Sequence, residues 1–145
     1  MRRNRYCIAN WKMNHPISEA KIYFSDWQNK ELNNSPIKTI FCPSFTELFI
    51  ISEMLKASPS ELGAQNVFYD SCGAFTGEVS CDMLKEVDCK WVIIGHSERR
   101  HIMGESNNII NALDKTMPLT FPYFFLSVLN KKDSIFLRKF CLFKK

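Results

Sequence analysis

At 145 residues the chain is the size of one domain, with room for a buried core. With 46% hydrophobic and 23% charged residues, 5 Gly and 6 Pro, its composition excludes a disordered, collagenous or low-complexity chain. The net charge of +4 is unevenly placed: residues 1–114 sum to −2 and residues 115–145 to +6, and that second stretch also holds six of the 12 Phe. The shift predicts a boundary near Lys115, between a main unit 1–114 and a basic, aromatic tail 115–145.

The six cysteines (Cys7, Cys42, Cys72, Cys81, Cys89, Cys141) are irregularly spaced and contain no C-x-x-C, which predicts reduced thiols rather than a disulfide framework. The basic start Met1–Arg5 leads into an apolar stretch that stops at Asn10, too short for a signal-peptide core. The apolar tract 118–129 contains Pro118 and Pro122 and falls short of the roughly 20 residues a bilayer-spanning helix needs. A cytoplasmic protein without a membrane partner is expected.

Along the chain, short apolar runs alternate with longer stretches of helical period. Tyr6–Ala9 reads as a strand, and Ile17–Leu32 carries apolar residues at 17, 20, 24 and 27. Ile37–Cys42 is strand-like; Pro43-Ser44 opens a helix bearing Phe45, Leu48, Phe49, Ile51, Met54 and Leu55. Leu62–Val67 is a weaker strand and Val79–Val87 a short amphipathic segment. Trp91–Ile94 is continuously apolar, as a strand covered on both faces must be, and Glu105–Leu113 reads as helix. Four strand–helix units at intervals of roughly 30 residues predict a parallel sheet or barrel, because parallel strands need a crossover and a helix is the usual one.

In such folds chemistry gathers where strands end. The first strand runs into Asn10-Trp11-Lys12-Met13-Asn14 and the fourth into Gly95-His96-Ser97-Glu98-Arg99-Arg100. Lys12 supplies a cation for a phosphate or carboxylate, Asn10 a hydrogen-bonding amide, and His96 a group able to polarise a carbonyl or move a proton. Singly, Lys12 also fits a solvated lysine and His96 a strand-end cap; their occurrence at two strand ends favours a site. The third turn, Gln65–Ser80, exceeds the roughly 2–6 residues usual for such loops, and Gly73 and Gly77 bracket Ala74-Phe75-Thr76, a tip suited to docking on a partner or an ordinary surface loop.

Other chemistries fall away. His96 and His101 are five apart, off one helix face, and there is no H-E-x-x-H, so no metal site is expected. No G-x-S-x-G surrounds Ser97, and no G-x-x-x-x-G-K-[ST] is present. The tail mixes Lys with Phe but has no nucleic-acid-binding motif, so it reads as solvated and no nucleic-acid partner is expected.

Four strings, Ala9-Asn10-Trp11-Lys12-Met13-Asn14, Gly63-Ala64-Gln65-Asn66, Gly73-Ala74-Phe75-Thr76-Gly77-Glu78-Val79-Ser80 and Ile94-Gly95-His96-Ser97-Glu98-Arg99-Arg100, resemble the triosephosphate isomerase family in order and spacing, over about residues 5–114. The resemblance implies a (β/α)8 TIM barrel and cofactor-free interconversion of dihydroxyacetone phosphate and glyceraldehyde 3-phosphate, in glycolysis and gluconeogenesis. It implies that Asn10 and Lys12 bind substrate, with Lys12 countering phosphate and developing enediolate charge. His96 would be the catalytic electrophile, the neutral imidazole for which this family is itself the stock example. Glu98 would be a supporting carboxylate, and Thr76 would lie on the loop reaching the partner subunit of the family's homodimer.

The family's barrel takes about 250 residues, and this chain matches only about four of its βα units, a half-barrel followed by a non-family tail. The glutamate base after strand six, its lid, and the Gly-rich phosphate loops of strands seven and eight have no counterpart in the 145 residues; among residues 105–145 only Glu105, Asp114 and Asp133 are acidic, none in a matching motif. Residues 118–126 are apolar but proline-interrupted, unlike a central fifth strand. Composition shift, Phe/Lys bias and lost motif together fit a frameshifted or alternatively spliced tail; an intact downstream frame encoding strands five to eight would decide for it. The expectation is a chain of weak or no isomerase activity, with a non-catalytic fragment that pairs with itself or with a full-length isomerase as the competing reading. Pairing would use the open edges of strands one and four and the apolar faces meant for the other half.

Overall fold

Short apolar runs become strands here, and the stretches between them become the helices that return the chain to the same edge. A computed structural model describes residues 5–30, 35–116 and 125–126. β1 (Arg5–Asn10), β2 (Ile37–Cys42), β3 (Glu61–Ala64) and β4 (Cys89–Ile94) pair in sequence order and are all parallel. Between them run α1 (Ile17–Lys30), a 3-10 turn (Phe45–Glu47) leading into α2 (Leu48–Leu55), and α3 (Cys81–Glu86). After β4 come α4 (Ser97–His101) and α5 (Asn107–Thr116). This is the half-barrel of four βα units that the sequence predicts.

The two faces of the sheet separate by alternation. Ala9, Phe41, Leu62, Ala64, Val92 and Ile94 face the helices, where they pack with Ala20 and Phe24 of α1, Leu48, Ile51 and Leu55 of α2, Leu84 of α3, and Ile110 and Leu113 of α5. Ile8, Ile40, Cys42, Trp91 and Ile93 form a second cluster on the inner face, with Tyr6 set edge-on to Trp91 at a centroid distance of 5.3 Å. The strict alternation breaks once. Leu62 pairs with Cys89 but Gly63 with Trp91, so β4 carries one extra residue, the exposed Lys90. This bulge turns Cys89 outward beside Leu62 and Trp91 inward. Gly63 must stay small beneath it, because a Cβ there would lie 2.7 Å from Cys42 Sγ and 3.1 Å from Trp91 Cβ.

Several expectations are corrected. Ile17, counted with the apolar stripe of α1, is exposed, and residues 31–32 of that expected helix lie outside the described residues. The residues after β4 fold into α4. β4 is not an edge, because a two-residue strand β5 (Phe125–Leu126) pairs with Ile93 and Ile94 in parallel. That pairing starts beyond both prolines of the tract 118–126, so no ring removes a ladder donor at the paired residues. Nor is the inner apolar face exposed, since Ile8, Ile40, Cys42, Trp91 and Ile93 are all buried. The composition shift at Lys115 falls within the last turn of α5, and apart from Thr116 and β5 the rest of the tail lies outside the described residues.

Candidate active site at the carboxyl ends of the strands

The turn after β1 is fixed by an anchor the sequence did not single out. Trp11 is buried against Tyr23, Phe24 and Phe41, with ring centroids 5.3, 5.5 and 6.3 Å away. Its N–H donates to the Cys42 carbonyl at 3.0 Å, carrying the end of β1 over the end of β2. The next residue, Lys12, is then forced into the left-handed region at φ 57°, uncommon and costly for a residue with a Cβ. Side chains from two strand ends hold it there. Asn10 Oδ1 accepts from the Lys12 N–H at 3.0 Å, and Gln65 Nε2 donates to the Lys12 carbonyl at 2.8 Å while also donating to the Cys42 carbonyl at 2.9 Å. Gln65 lay in one of the quoted strings without a role. What gives it one is that both its amide donors are used on backbone, which composition and spacing cannot show.

At the end of β4, Gly95 adopts φ 64° and turns the chain into α4. His96 caps that helix: the Glu98 N–H donates to His96 Nδ1 at 3.3 Å. A backbone donor cannot reverse its role, so in this contact Nδ1 accepts. Glu98 Oε2 lies 3.4 Å from the same Nδ1. Glu98 Oε1 accepts from Lys12 Nζ, closing an ion pair between the ends of β1 and β4. The His96 ring is largely sheltered, whereas the Lys12 and Glu98 side chains remain 40% and 44% exposed. Their charges are therefore reachable from solvent and only lightly committed to each other.

Asn10, Lys12, Glu98 and His96 thus form one connected group. Thr76 is not part of it: it is exposed on the 65–80 loop. The loop has order of its own. Phe75 packs on Phe68 at 4.5 Å, and backbone bonds from Phe68 N–H to the Val79 carbonyl and from Glu78 N–H to the Phe75 carbonyl close it. Around the site and loop, Met13, Ile102, Met103 and Phe75 are exposed apolar side chains. No group of three or more His, Cys, Asp or Glu able to hold a metal occurs among the described residues, and no described helix is long and apolar enough to cross a membrane.

The opposite end of the sheet holds a second lysine–glutamate cluster, which the sequence reading missed. Glu61, at the start of β3, accepts from Lys38 Nζ at 2.8 Å and from Trp91 Nε1 at 2.6 Å, with Lys90 Nζ 3.7 Å away. Its side chain is only 10% exposed. Burial alone would raise its pKa, but the hydrogen bonds from Lys38 and Trp91 and the two ammonium charges outweigh this and hold it below the ordinary glutamate value. Among the described cysteines, Cys42, Cys72 and Cys89 are free thiols. Burial pushes the Cys42 thiol up, and pushes Cys89 up to about 12 with help from Asp88. Neither is a nucleophile at neutral pH.

Parallel strands joined by helices, with polar and ionisable groups collected at their carboxyl ends, define the class of βα-barrel proteins. The family model of triosephosphate isomerase matches residues 5–117, and this chain belongs to that family. It is 45% identical over 107 residues to the triosephosphate isomerase of Aquifex aeolicus, covering 74% of this chain and 43% of that protein. It is 38% identical over 121 residues to that of Dictyoglomus turgidum, covering 83% and 47%, and 47% identical over 103 residues to that of Dehalococcoides mccartyi, covering 71% and 40%. The chain therefore spans less than half the length of these relatives.

Proposed function

We propose that this chain carries the electrophilic and charge-binding half of a triosephosphate isomerase site and that, alone, it binds a phosphorylated triose weakly and isomerises it little or not at all. The observation behind the reading is the Lys12–Glu98–His96 group joining the ends of β1 and β4 in a chain of this family. Asn10 and Lys12 bind substrate, the Lys12 ammonium opposing the phosphate and the negative charge of an enediolate. His96 Nε2–H donates to the substrate oxygens, and Glu98 holds Lys12 and the imidazole in register. The chemistry needs no cofactor. What the 145 residues lack is a counterpart of the family's proton-abstracting glutamate and phosphate loops. General-base catalysis is worth roughly 10²- to 10⁴-fold, and lost phosphate contacts remove binding that the transition state needs.

The test is isomerase activity of the purified chain beside His96→Gln. Little or no turnover in either, with dihydroxyacetone phosphate binding that His96→Gln or Lys12→Ala weakens, is the expected result. Turnover near that of the relatives, lost in His96→Gln, would overturn it by requiring a base within the chain.

A second reading is favoured by one feature: β1 pairs on one side only among the described strands, and Met13, Ile102 and Met103 stand exposed near it in sequence or at the β4 end. In this reading the chain is an interaction fragment that pairs with itself or a full-length isomerase, with the 65–80 loop and Thr76 as its dimer contact. Residues 1–114 would supply the paired unit and 115–145 a divergent tail, in the cytoplasm. Sedimentation at several concentrations, of the chain alone and mixed with a full-length triosephosphate isomerase, tests this: a discrete dimer or a discrete mixed complex supports it, and a chain that stays monomeric in both, or grows without limit, sinks it.

A further inference from the structure

α4 has five residues, too few to be stable by its own hydrogen bonds, yet it carries Glu98 and is capped by His96. Something outside it must fix its position. Arg99 Nε donates to Glu105 Oε1, and the Glu105 N–H donates back to the Arg99 carbonyl at 3.0 Å. One residue on, Arg100 Nη2 donates to Asn107 Oδ1 at 2.5 Å, tying α4 to the first residue of α5. α5 is anchored in its turn by Ile110 and Leu113 in the main core, where Ile110 also packs beneath Gly95.

Glu105 is an unusual residue to find in this place. Its side chain is 8% exposed, and its Oε2 is buried with no hydrogen-bond partner among the described residues. A buried carboxylate with one oxygen unmatched is a poor source of stability, since desolvation of the charge offsets most of the attraction to Arg99. Such pairs serve better to select one arrangement over others. Here the arrangement is the placement of α4 relative to β1, on which the Glu98–Lys12 contact depends.

We infer that Glu105 is a positioning residue: through Arg99 it locks α4 so that His96, Glu98 and Lys12 converge. The inference rests on the functional reading above for what the convergence is for, but not for whether it occurs. The experiment records the His96 ring resonances of the full chain, assigned by their loss in His96→Gln, together with dihydroxyacetone phosphate binding and urea unfolding. Glu105→Gln and Arg99→Gln are each expected to move the ring resonances and to weaken binding about tenfold, and the double variant to do no more than the worse single one. Ring resonances identical to wild type with a lowered urea midpoint would overturn the inference, leaving Glu105 merely structural. If Glu105→Gln does not fold, Arg99→Gln is read by the same criterion. Should the wild-type chain bind no triose phosphate, the functional reading fails, while the resonances still decide the lock.

Discussion

The two ends of the sheet carry the same chemical pair in opposite settings. At the amino end, Glu61 is nearly buried and satisfied by Lys38 and Trp91 with Lys90 beside them. At the carboxyl end, Glu98 meets Lys12 with both side chains about two-fifths exposed, on a turn whose backbone is strained. Burial decides the difference in consequence. A carboxylate out of water is costly to leave unpaired, so the first cluster belongs to stability; the second holds charge where a ligand can compete for it. The same contrast is general to parallel βα folds, in which one end of the strands serves stability and the other serves chemistry.

The largest effect is expected at the amino end. Glu61→Ala removes the acceptor of the Trp91 indole N–H and the counter-charge of two lysines, and should cost roughly 2–3 kcal/mol in urea unfolding. Glu61→Gln keeps an acceptor for Trp91 and should cost about half as much. Equal losses would mean that charge, not the indole bond, dominates the cluster. The same residue sets a pH dependence. Because its folded pKa lies below the ordinary value of 4.5, its contribution is fully present above that value and disappears as pH falls through the lower folded value. The wild-type urea midpoint should therefore drop in acid more steeply than that of Glu61→Gln; parallel curves would refute the assignment.

A smaller loss is expected where the carboxyl end turns. Gly95→Ala places a Cβ at φ 64° and 3.2 Å from Ile110 Cδ1, and should cost about 1–2 kcal/mol. Ile110 can give way slightly, so most of that cost is backbone strain, and a Gly95→Ala/Ile110→Val variant should recover little of it. Full recovery would assign the cost to packing instead.

The ends of β1 and β4 were legible in the sequence because an apolar run that stops at Asn-Trp-Lys or Gly-His-Ser is a local signal, whereas the third strand, expected to reach Val67, ends at Ala64. β2 could be read to its bounds for the same reason, with a proline directly after it. What escaped was set by partners distant in sequence. Lys12 is left-handed because Trp11 is buried and Gln65 grips its carbonyl; neither fact has a periodicity. The bulge at Lys90 is a matter of register between β3 and β4. Glu61 is a single carboxylate opening a weak strand, and its meaning comes from Lys38 and Trp91 on the strands to either side. α4 is shorter than any helical period can reveal, and β5 was hidden by prolines that precede the two residues that pair.

The smallest stability effect should be at the residue whose loss matters most to binding. Lys12→Ala breaks the ion pair with Glu98, but both partners are well exposed and an exposed pair is worth roughly 0–1 kcal/mol. Against this, alanine leaves the left-handed strain at φ 57° in place, so stability should change by less than about 1 kcal/mol in either direction. Lys12→Gly separates the two contributions: it relieves the strain while losing the same ammonium, and should unfold at a higher urea concentration than Lys12→Ala. Both should lose dihydroxyacetone phosphate binding alike, because the glycine restores the turn and not the charge. If Lys12→Gly instead bound as wild type does, the ammonium would be a bystander, and the reason for holding a lysine in that conformation would have to be sought in the backbone of the turn.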